Sequence, residues 1–253
     1  MKKVLVIGDS CVDVFKYGTC KRICPEAPVP VFQPTKNMMS SGMTSNVFAN
    51  LKALNVECEL VTNPVAPKKI RYVDAESNQM LLRVDKQDDV KEIEYDRIRN
   101  IDFTDYEAII ISDYDKGFLS EDDIEYIGNQ HSLTFMDTKK KLGAWASSIK
   151  VIKINEREYN ENVGWFPDDG TQDIIMTKGK DGAILNKTKR FPIKKEHPVR
   201  DLSGAGDTFL AALVAKYIEN YDICDSIEFA NKCASWVVTQ KGIAVINLNE
   251  INE

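Results

Sequence analysis

The sequence predicts an α/β fold: a mainly parallel sheet flanked by helices, with a small β-sheet lid projecting from it. Three observations lead there. Short apolar, β-branched runs recur along the chain, and amphipathic stretches of helical spacing separate them. Two further segments break that rhythm, with apolar and polar residues alternating over a few positions. Continuous apolar runs suit strands covered on both faces, as in a parallel sheet. Strand–helix alternation then calls for right-handed crossovers. The 253 residues suffice for one such domain, 1–253, and neither an internal repeat nor a low-complexity linker divides them.

In chain order, Lys3-Val4-Leu5-Val6-Ile7 is the first expected strand, closed by Gly8-Asp9. Residues 15–36 carry Pro25, Pro28, Pro30 and Pro34, with Val29, Val31 and Phe32 between them, and read as half-buried strand. A helix over 44–55 and a strand over Cys58-Glu59-Leu60-Val61-Thr62 follow. Residues 69–85 read as a hairpin, with Ile70, Tyr72 and Val73, then Met80, Leu82 and Val84, around Ala75-Glu76-Ser77-Asn78. Segments 15–36 and 69–85 together form the expected lid, although an ordinary surface hairpin would show the same alternation. Strands over 108–111, 133–136, 151–154 and 173–177 continue the main sheet. Helical patterns at 121–130, 204–219 and 225–240 complete it.

Composition excludes several functions. With 43% apolar and 28% charged residues the chain is globular. Its 33 Lys+Arg against 39 Asp+Glu give −6, which argues against affinity built on neutralising nucleic-acid phosphates. No apolar run approaches the ~18 residues a membrane span needs. Val4-Leu5-Val6-Ile7 is too short for a signal-peptide core, so neither membrane nor export is expected, and the cytoplasm is. Cys11, Cys20, Cys24, Cys58, Cys224 and Cys233 form no C-x-x-C pair and read as reduced thiols. With only His131 and His197, both in loop-like surroundings, a histidine-rich metal site is excluded. H-E-x-x-H, Walker-type G-x-x-x-x-G-K-[ST] and a G-x-G-x-x-G after the first strand are all missing.

The chemistry concentrates in Asp201-Leu202-Ser203-Gly204-Ala205-Gly206-Asp207-Thr208-Phe209-Leu210. Phe209, Leu210, Leu213, Val214, Tyr217 and Ile218 follow helical spacing, so a helix starts near 204–207. Two glycines in a first helical turn are costly and need a reason. One is an anion site, where unpaired N–H groups at the helix tip are bared to a phosphate. Asp207 would then stand ready to take a proton from an attacking hydroxyl. The other reading makes Ser203 and Asp207 only N-cap and first-turn residues, which favour these types anyway.

Asp201 to Asp207 matches without a gap the D-x-x-G-A-G-D signature of the ribokinase-like (PfkB) carbohydrate kinases, a family the chain resembles over nearly its whole length. Within that family it is most similar to the heptose kinases of ADP-heptose synthesis, through Arg22-Ile23-Cys24-Pro25-Glu26-Ala27-Pro28-Val29-Pro30 and Ser77-Asn78-Gln79-Met80-Leu81-Leu82-Arg83-Val84-Asp85. Ser112-Asp113-Tyr114-Asp115-Lys116-Gly117 and Ala230-Asn231-Lys232-Cys233-Ala234 fit the same pattern. The given sequence stops just after this kinase-like portion, so the nucleotidyltransferase half of the bifunctional enzymes is expected to be absent.

The resemblance implies an ATP- and Mg²⁺-dependent kinase, with D-glycero-D-manno-heptose 7-phosphate phosphorylated at O1 as the leading acceptor. It makes Asp207 the base and the N–H groups of Gly204, Ala205 and Gly206 the cradle of the transferring phosphoryl. Asp9, Asp13, Gly42 and Asn46 would hold the sugar, and Lys69, Arg71 and Arg83 its phosphate. Asn155 and Glu158 resemble the N-x-x-E motif associated with Mg²⁺. Thr177, Lys178, Gly179 and Gly182 resemble the nucleotide turn, with Lys139 and Asn231 also facing the nucleotide and Lys116 a further phosphate candidate. Plainer readings stand beside these: Lys139-Lys140-Lys141 as a solvated run, Asn155/Glu158 as a helix cap, Asp9 and Asp13 as turn residues, and the lid cations as exposed charge.

The chain departs from the family in three places. Met43 stands where a second glycine is usual, Asp137-Thr138-Lys139 where Asp-Pro-Lys is common, and only Asn63-Pro64-Val65-Ala66-Pro67-Lys68 joins a core strand to the hairpin, where an extra helix and strand are general. These departures bear on acceptor specificity. Another sugar or nucleoside acceptor, or a binding protein without turnover, is the alternative. Exposed lid edges further imply a homodimer formed through the lid.

Overall fold

The computed structural model describes residues 3–166, 170–194 and 198–251, so His197 lies outside the described residues. The chain opens with β1 (Lys3–Gly8), β2 (Ser10–Thr19) and β3 (Gln33–Met43), then α1 (Thr44–Ala53) and β4 (Glu57–Thr62). It returns to the smaller sheet as β5 (Lys68–Asp74) and β6 (Met80–Lys86), followed by the short α2 (Tyr95–Arg99). Then come β7 (Ala108–Asp113), α3 (Glu121–Gln130), β8 (Thr134–Thr138), β9 (Val151–Asn155), α4 (Glu156–Glu161) and β10 (Asp173–Thr177). A hairpin of β11 (Ala183–Leu185) and β12 (Lys189–Phe191) precedes α5 (Ala205–Asn220), α6 (Ile223–Val237) and α7 (Leu248–Ile251).

Eight strands form the main sheet in the order β12-β11-β10-β9-β8-β7-β1-β4, parallel from β10 to β4, with β11 and β12 antiparallel at one edge. Side chains of a strand alternate between faces, and here both faces are covered. Val4, Val6, Ile110, Phe135 and Val151 pack against α1, α5 and α6, while Leu5, Ile7, Ile109, Ile111, Met136 and Ile152 pack against α2 and α3. That is why these strands read as unbroken apolar runs.

The second sheet, β3-β2-β5-β6, is the lid. Its strands start earlier and end later than the expected 15–36, because β2 leaves the core at Ser10 and β3 runs to Met43. The intervening 20–32 is not a strand; only an isolated bridge between Ile23 and Pro30 pairs there. Prolines 25, 28 and 30 remove the ladder donors a strand requires, and the alternation of Val29, Val31 and Phe32 serves another purpose. Phe32 packs edge-on against Tyr72, 5.3 Å between centroids.

The shortened link between β4 and β5 is stitched by Asn63. Its Oδ1 accepts from the Ser10 N–H (2.8 Å) and its Nδ2 donates to the Ser10 and Val65 carbonyls (3.1 and 2.7 Å). One side chain thus satisfies backbone that a neighbouring strand would otherwise pair.

Candidate active site

Chain order reverses its direction across the sheet at β1, with β4 on one side and β7 on the other. In open α/β sheets such a switch point, at the carboxyl ends of the strands, is where ligands bind. Polar side chains, several of them sequence candidates, gather at that end. Asp9 follows β1, Asp113 closes β7, Asp137 lies on β8, Asn155 closes β9 and Thr177 closes β10. Asp9 clasps the switch point: fully buried, it accepts from the backbone N–H groups of Tyr114 (2.8 Å) and Lys116 (3.3 Å) on one oxygen and Phe118 (3.2 Å) on the other.

α5 begins above this end. Gly204 is its N-cap in the left-handed region (φ 81), with no side-chain cap, and Ala205, Gly206 and Asp207 form the first turn. Ser203 is not the cap; its N–H donates to Asp201 Oδ1 (2.9 Å). A β-carbon at 204 would be strained by that φ and would stand 2.7 Å from Asn46 Nδ2, so glycine is demanded twice. First-turn N–H groups have no partner within their own helix; that of Ala205 leans back on the Leu202 carbonyl (3.3 Å), and Gly204 and Gly206 put no side chain in the way.

Asp207 is 3% exposed. Its Oδ2 accepts from Asn46 Nδ2 (3.0 Å) and its Oδ1 from the Tyr114 hydroxyl. Burial pushes its carboxyl up to about 6, even though both hydrogen bonds pull the other way. Asn46 is fixed in turn, because Asn50 Nδ2 donates to its Oδ1 (3.0 Å). The first turn of α1 that carries it starts at Met43, whose φ of 59 is a conformation glycine adopts freely and methionine does not. Such a residue costs on the order of 1–3 kcal/mol.

On the other side of α5's tip a chain of buried charge runs through the sheet. Glu158 Oε1 accepts from Lys139 Nζ (2.6 Å), Lys139 lies 3.4 Å from Asp137 Oδ1, and Lys153 Nζ donates to Asp137 Oδ2 (2.6 Å). Burial alone would raise Asp137, but Lys153 and Lys139 outweigh it and hold the carboxyl below its ordinary value. Lys153 Nζ also lies 3.0 Å from where a β-carbon of Gly206 would be. A cation therefore sits directly beside the glycine tip.

Asn155 and Glu158 form a complete capping box at α4: Asn155 Oδ1 accepts from the Glu158 N–H (2.9 Å) and Glu158 Oε2 from the Asn155 N–H (3.1 Å). Beyond them, Lys178 pairs with Glu156 (2.7 Å), and 179–182 make a tight turn after β10 with Gly179 and Gly182 both at positive φ. Thr177 turns its hydroxyl to the Ile154 carbonyl (3.3 Å). Asn231 Nδ2 donates to the Phe191 carbonyl (2.9 Å), and the residue lines a cavity of about 580 Å³ along α6, where Ile193, Phe229 and Trp236 stand among charged side chains of both signs.

The lid supplies the roof. Arg71 is ion-paired with the buried Asp13 and stacks over Phe15 (5.1 Å). A β-carbon at Gly42 would come within 2.0 Å of Asp13 Oδ2 and 2.7 Å of Cys11 Sγ, so this glycine makes room for the carboxylate. Arg83 binds Asp85 through two bonds (2.7 and 2.6 Å), and Lys116 binds Asp88. Lys69 instead lies over the Tyr114 ring (5.5 Å). His131 bridges the Tyr106 and Leu133 carbonyls (3.1 Å each).

Tyr114, Asp137 and Lys153 belong to this site and were not singled out from the sequence. Two carried a signal: Asp137 and Lys153 share strand parity with Phe135 and Val151, inside strands covered on both faces, where a charged side chain is out of place. Tyr114, an aromatic among loop aspartates, carried none.

The sequence pattern of the pfkB family carbohydrate kinases matches residues 44–249. The chain belongs to that family. As a PfkB kinase it is a phosphotransferase for sugars or nucleosides, and its fold is ribokinase-like. Ribokinase of Thermotoga maritima superposes with a TM-score of 0.76 at 15% identity, covering 100% of this chain and 98% of the other. Phosphofructokinase-2 of Escherichia coli gives 0.74 at 14% identity, over 99% and 96%. Among curated proteins, the bifunctional protein HldE of Nitratiruptor sp. is 28% identical and that of Helicobacter acinonychis 30%, each over 99% of this chain. The chain spans 64% and 66% of those relatives' lengths. The alignments run over 302 and 309 positions against 253 residues, so the relatives carry residues within the matched span that this PfkB chain lacks.

Family membership implies ATP as the phosphoryl donor. The donor set suits Mg²⁺ as well: one carboxylate and one amide oxygen, both hard. Because the capping box and Lys139 already engage them, they fit a hydrated ion reached through water rather than a cage of direct ligands. Mg²⁺ commonly binds in that way, with one or two carboxylates and substrate phosphates. No cluster of three metal-binding side chains occurs among the described residues.

Proposed function

We propose that this PfkB kinase transfers the γ-phosphoryl of ATP to a phosphorylated sugar, with D-glycero-D-manno-heptose 7-phosphate, at O1, as the leading acceptor. The observation that carries the reading is the Asp207 carboxylate, buried at the glycine-bared tip of α5 with its proton affinity raised towards neutrality. A base works best when its pKa approaches the operating pH. Asp207 takes the proton of the acceptor hydroxyl as that oxygen bonds to the γ-phosphorus and the bond to the bridging oxygen of ADP breaks.

The N–H groups of 204–206 and the Lys153 ammonium face the charge on the moving phosphoryl, the kind of preorganised stabilisation that dominates such reactions. Glu158 and Asn155 would hold the water shell of a Mg²⁺ bound with ATP, which would supply neutralisation of phosphate charge. Thr177, Lys178, Gly179 and Gly182 would line the nucleotide phosphates, with Lys139 between them and the acceptor. The cavity beside Asn231, with Phe229 and Trp236 in its wall, would take the base. Asp13 and Asn46 would orient sugar hydroxyls, while Asp9 shapes the loop rather than offering free oxygens. Lys69, which forms no ion pair among the described residues although Asp13 and Asp85 flank it in register, would meet the acceptor phosphate first, with Arg71 and Arg83 joining it.

A second reading keeps the chemistry and changes the acceptor. Met43 in a glycine's conformation and the stitched link at Asn63 reshape the sugar end, which favours another sugar or a nucleoside. ADP release measured with Mg-ATP against heptose 7-phosphate, fructose phosphates, free sugars and nucleosides separates the two. The first expects the highest kcat/KM on the heptose phosphate; preference for an unphosphorylated acceptor overturns it.

The lid also leaves Met39, Met80 and Leu82 more than half exposed. A second copy pairing lid to lid would cover them. Sedimentation should then give a dimer that Met39→Glu dissociates, and a monomeric wild type contradicts it.

A further inference from the structure

Tyr114 meets the site with three separate groups. Its backbone N–H is held by Asp9 (2.8 Å), its hydroxyl donates to Asp207 Oδ1 (2.5 Å), and its ring is approached by Lys69 Nζ of the lid (5.5 Å) and by Lys139 Nζ (5.3 Å). Asp9 also fixes Lys116 and Phe118, so the loop behind the ring is anchored on both sides. Asn46 grips the other oxygen of Asp207 and is itself fixed by Asn50. The carboxylate is thus held by one donor from α1 and one from the loop after β7.

We infer that Tyr114 is a positioning residue for the base: its hydroxyl aims the Asp207 carboxylate at the acceptor. This rests on the reading of Asp207 as the base. A carboxylate oxygen has a second lone pair, so the acceptor hydroxyl can approach Oδ1 while Tyr114 stays in place. Tyr114 cannot take the acceptor's proton itself. Burial and the neighbouring Asp207 charge hold its phenol well above the usual range, which keeps it a donor.

The charged and titratable groups around the pair are Asp137 and Lys153 on the Asp207 side, and Cys11, Asp137, Lys69 and Lys139 around Tyr114. None of them replaces the lost hydroxyl in Tyr114→Phe, because that variant keeps the ring and deletes only the donor. Removing a hydrogen bond to the ionised form raises a carboxyl's pKa.

The test compares wild type, Tyr114→Phe and Asp207→Asn by carbon NMR of labelled aspartate side chains and by the pH profile of kcat/KM. The resonance missing from Asp207→Asn marks Asp207. Its midpoint, near 6 in wild type, should rise by about one pH unit in Tyr114→Phe. The acid limb of kcat/KM should move the same way, with the deficit greatest at low pH and shrinking towards pH 9. An unmoved midpoint overturns the inference, whether activity is retained or falls equally at every pH. The NMR reading does not depend on turnover. If Asp207→Asn keeps wild-type activity, the base assignment fails even where the Tyr114 shift is seen, so the two failures are told apart.

Discussion

The two sheets carry charge in opposite ways. At the carboxyl ends of the main sheet, Asp113, Asp137, Lys153 and Asp207 are withdrawn from solvent and satisfied by Lys140, Thr138, Asn46, Tyr114 or one another. At the lid, Arg71 with Asp13 is also buried, but Arg83 with Asp85 and, at the margin, Lys116 with Asp88 are substantially exposed. Exposed pairs contribute roughly 0–1 kcal/mol, whereas leaving one partner of a buried pair alone costs about 3–5 kcal/mol. The main sheet therefore fixes geometry that must not drift during transfer. The outer lid holds Arg83 loosely enough to exchange its carboxylate for an arriving phosphate.

The sharpest way to break this contrast is Asp207→Asn. Turnover should fall at least about a hundredfold while ATP still raises the melting temperature, since the base acts on the acceptor and not on the nucleotide. Turnover within a few fold of wild type would dissolve the distinction between the two regions.

The same substitution should reveal what burying the base costs. Asp207 binds its proton more tightly when folded (about 6) than at its ordinary value of 3.8. Its contribution thus favours folding below about pH 4 and is lost as pH rises through 6. Asp207→Asn should accordingly gain stability over wild type from pH 4 to pH 8, by on the order of 2–3 kcal/mol in urea unfolding. A difference independent of pH would contradict this.

Gly204→Ala comes next. Strain at φ 81 and the approach to Asn46 should cost about 1–2 kcal/mol of stability and displace the Asn46–Asp207 contact, lowering kcat roughly tenfold. Chemical denaturation and steady-state kinetics read both. Smallest is Arg83→Ala on the lid. It should raise KM for a phosphorylated acceptor severalfold, less so at high salt, with kcat unchanged; a fall in kcat alone would place Arg83 in the transfer machinery instead.

What was legible in the sequence follows the same divide. The main-sheet strands announced themselves because covering both faces demands continuous apolar runs, and the glycines of 204–206 announced the helix tip because they are costly there. The lid strands are harder to read: Ser10–Thr19 is mostly buried but interrupts its apolar residues with Asp13 and Lys16, Gln33–Met43 is polar and largely exposed, and proline-rich 20–32 imitates their alternation. Tyr114 and Asn46 reach Asp207 across 93 and 161 residues of chain, a juxtaposition that only the crossover topology creates. Asn63 was equally hidden, since a side chain that replaces strand pairing leaves no periodic trace.

The most direct measurement is a crystal structure with a non-hydrolysable ATP analogue. The γ-phosphate should sit within hydrogen-bond distance of the backbone N–H groups at 204–206, with the Asp207 carboxylate turned to the acceptor side of it. A triphosphate bound with its terminal group away from the start of α5 would contradict the assignment of that helix tip as the transfer site.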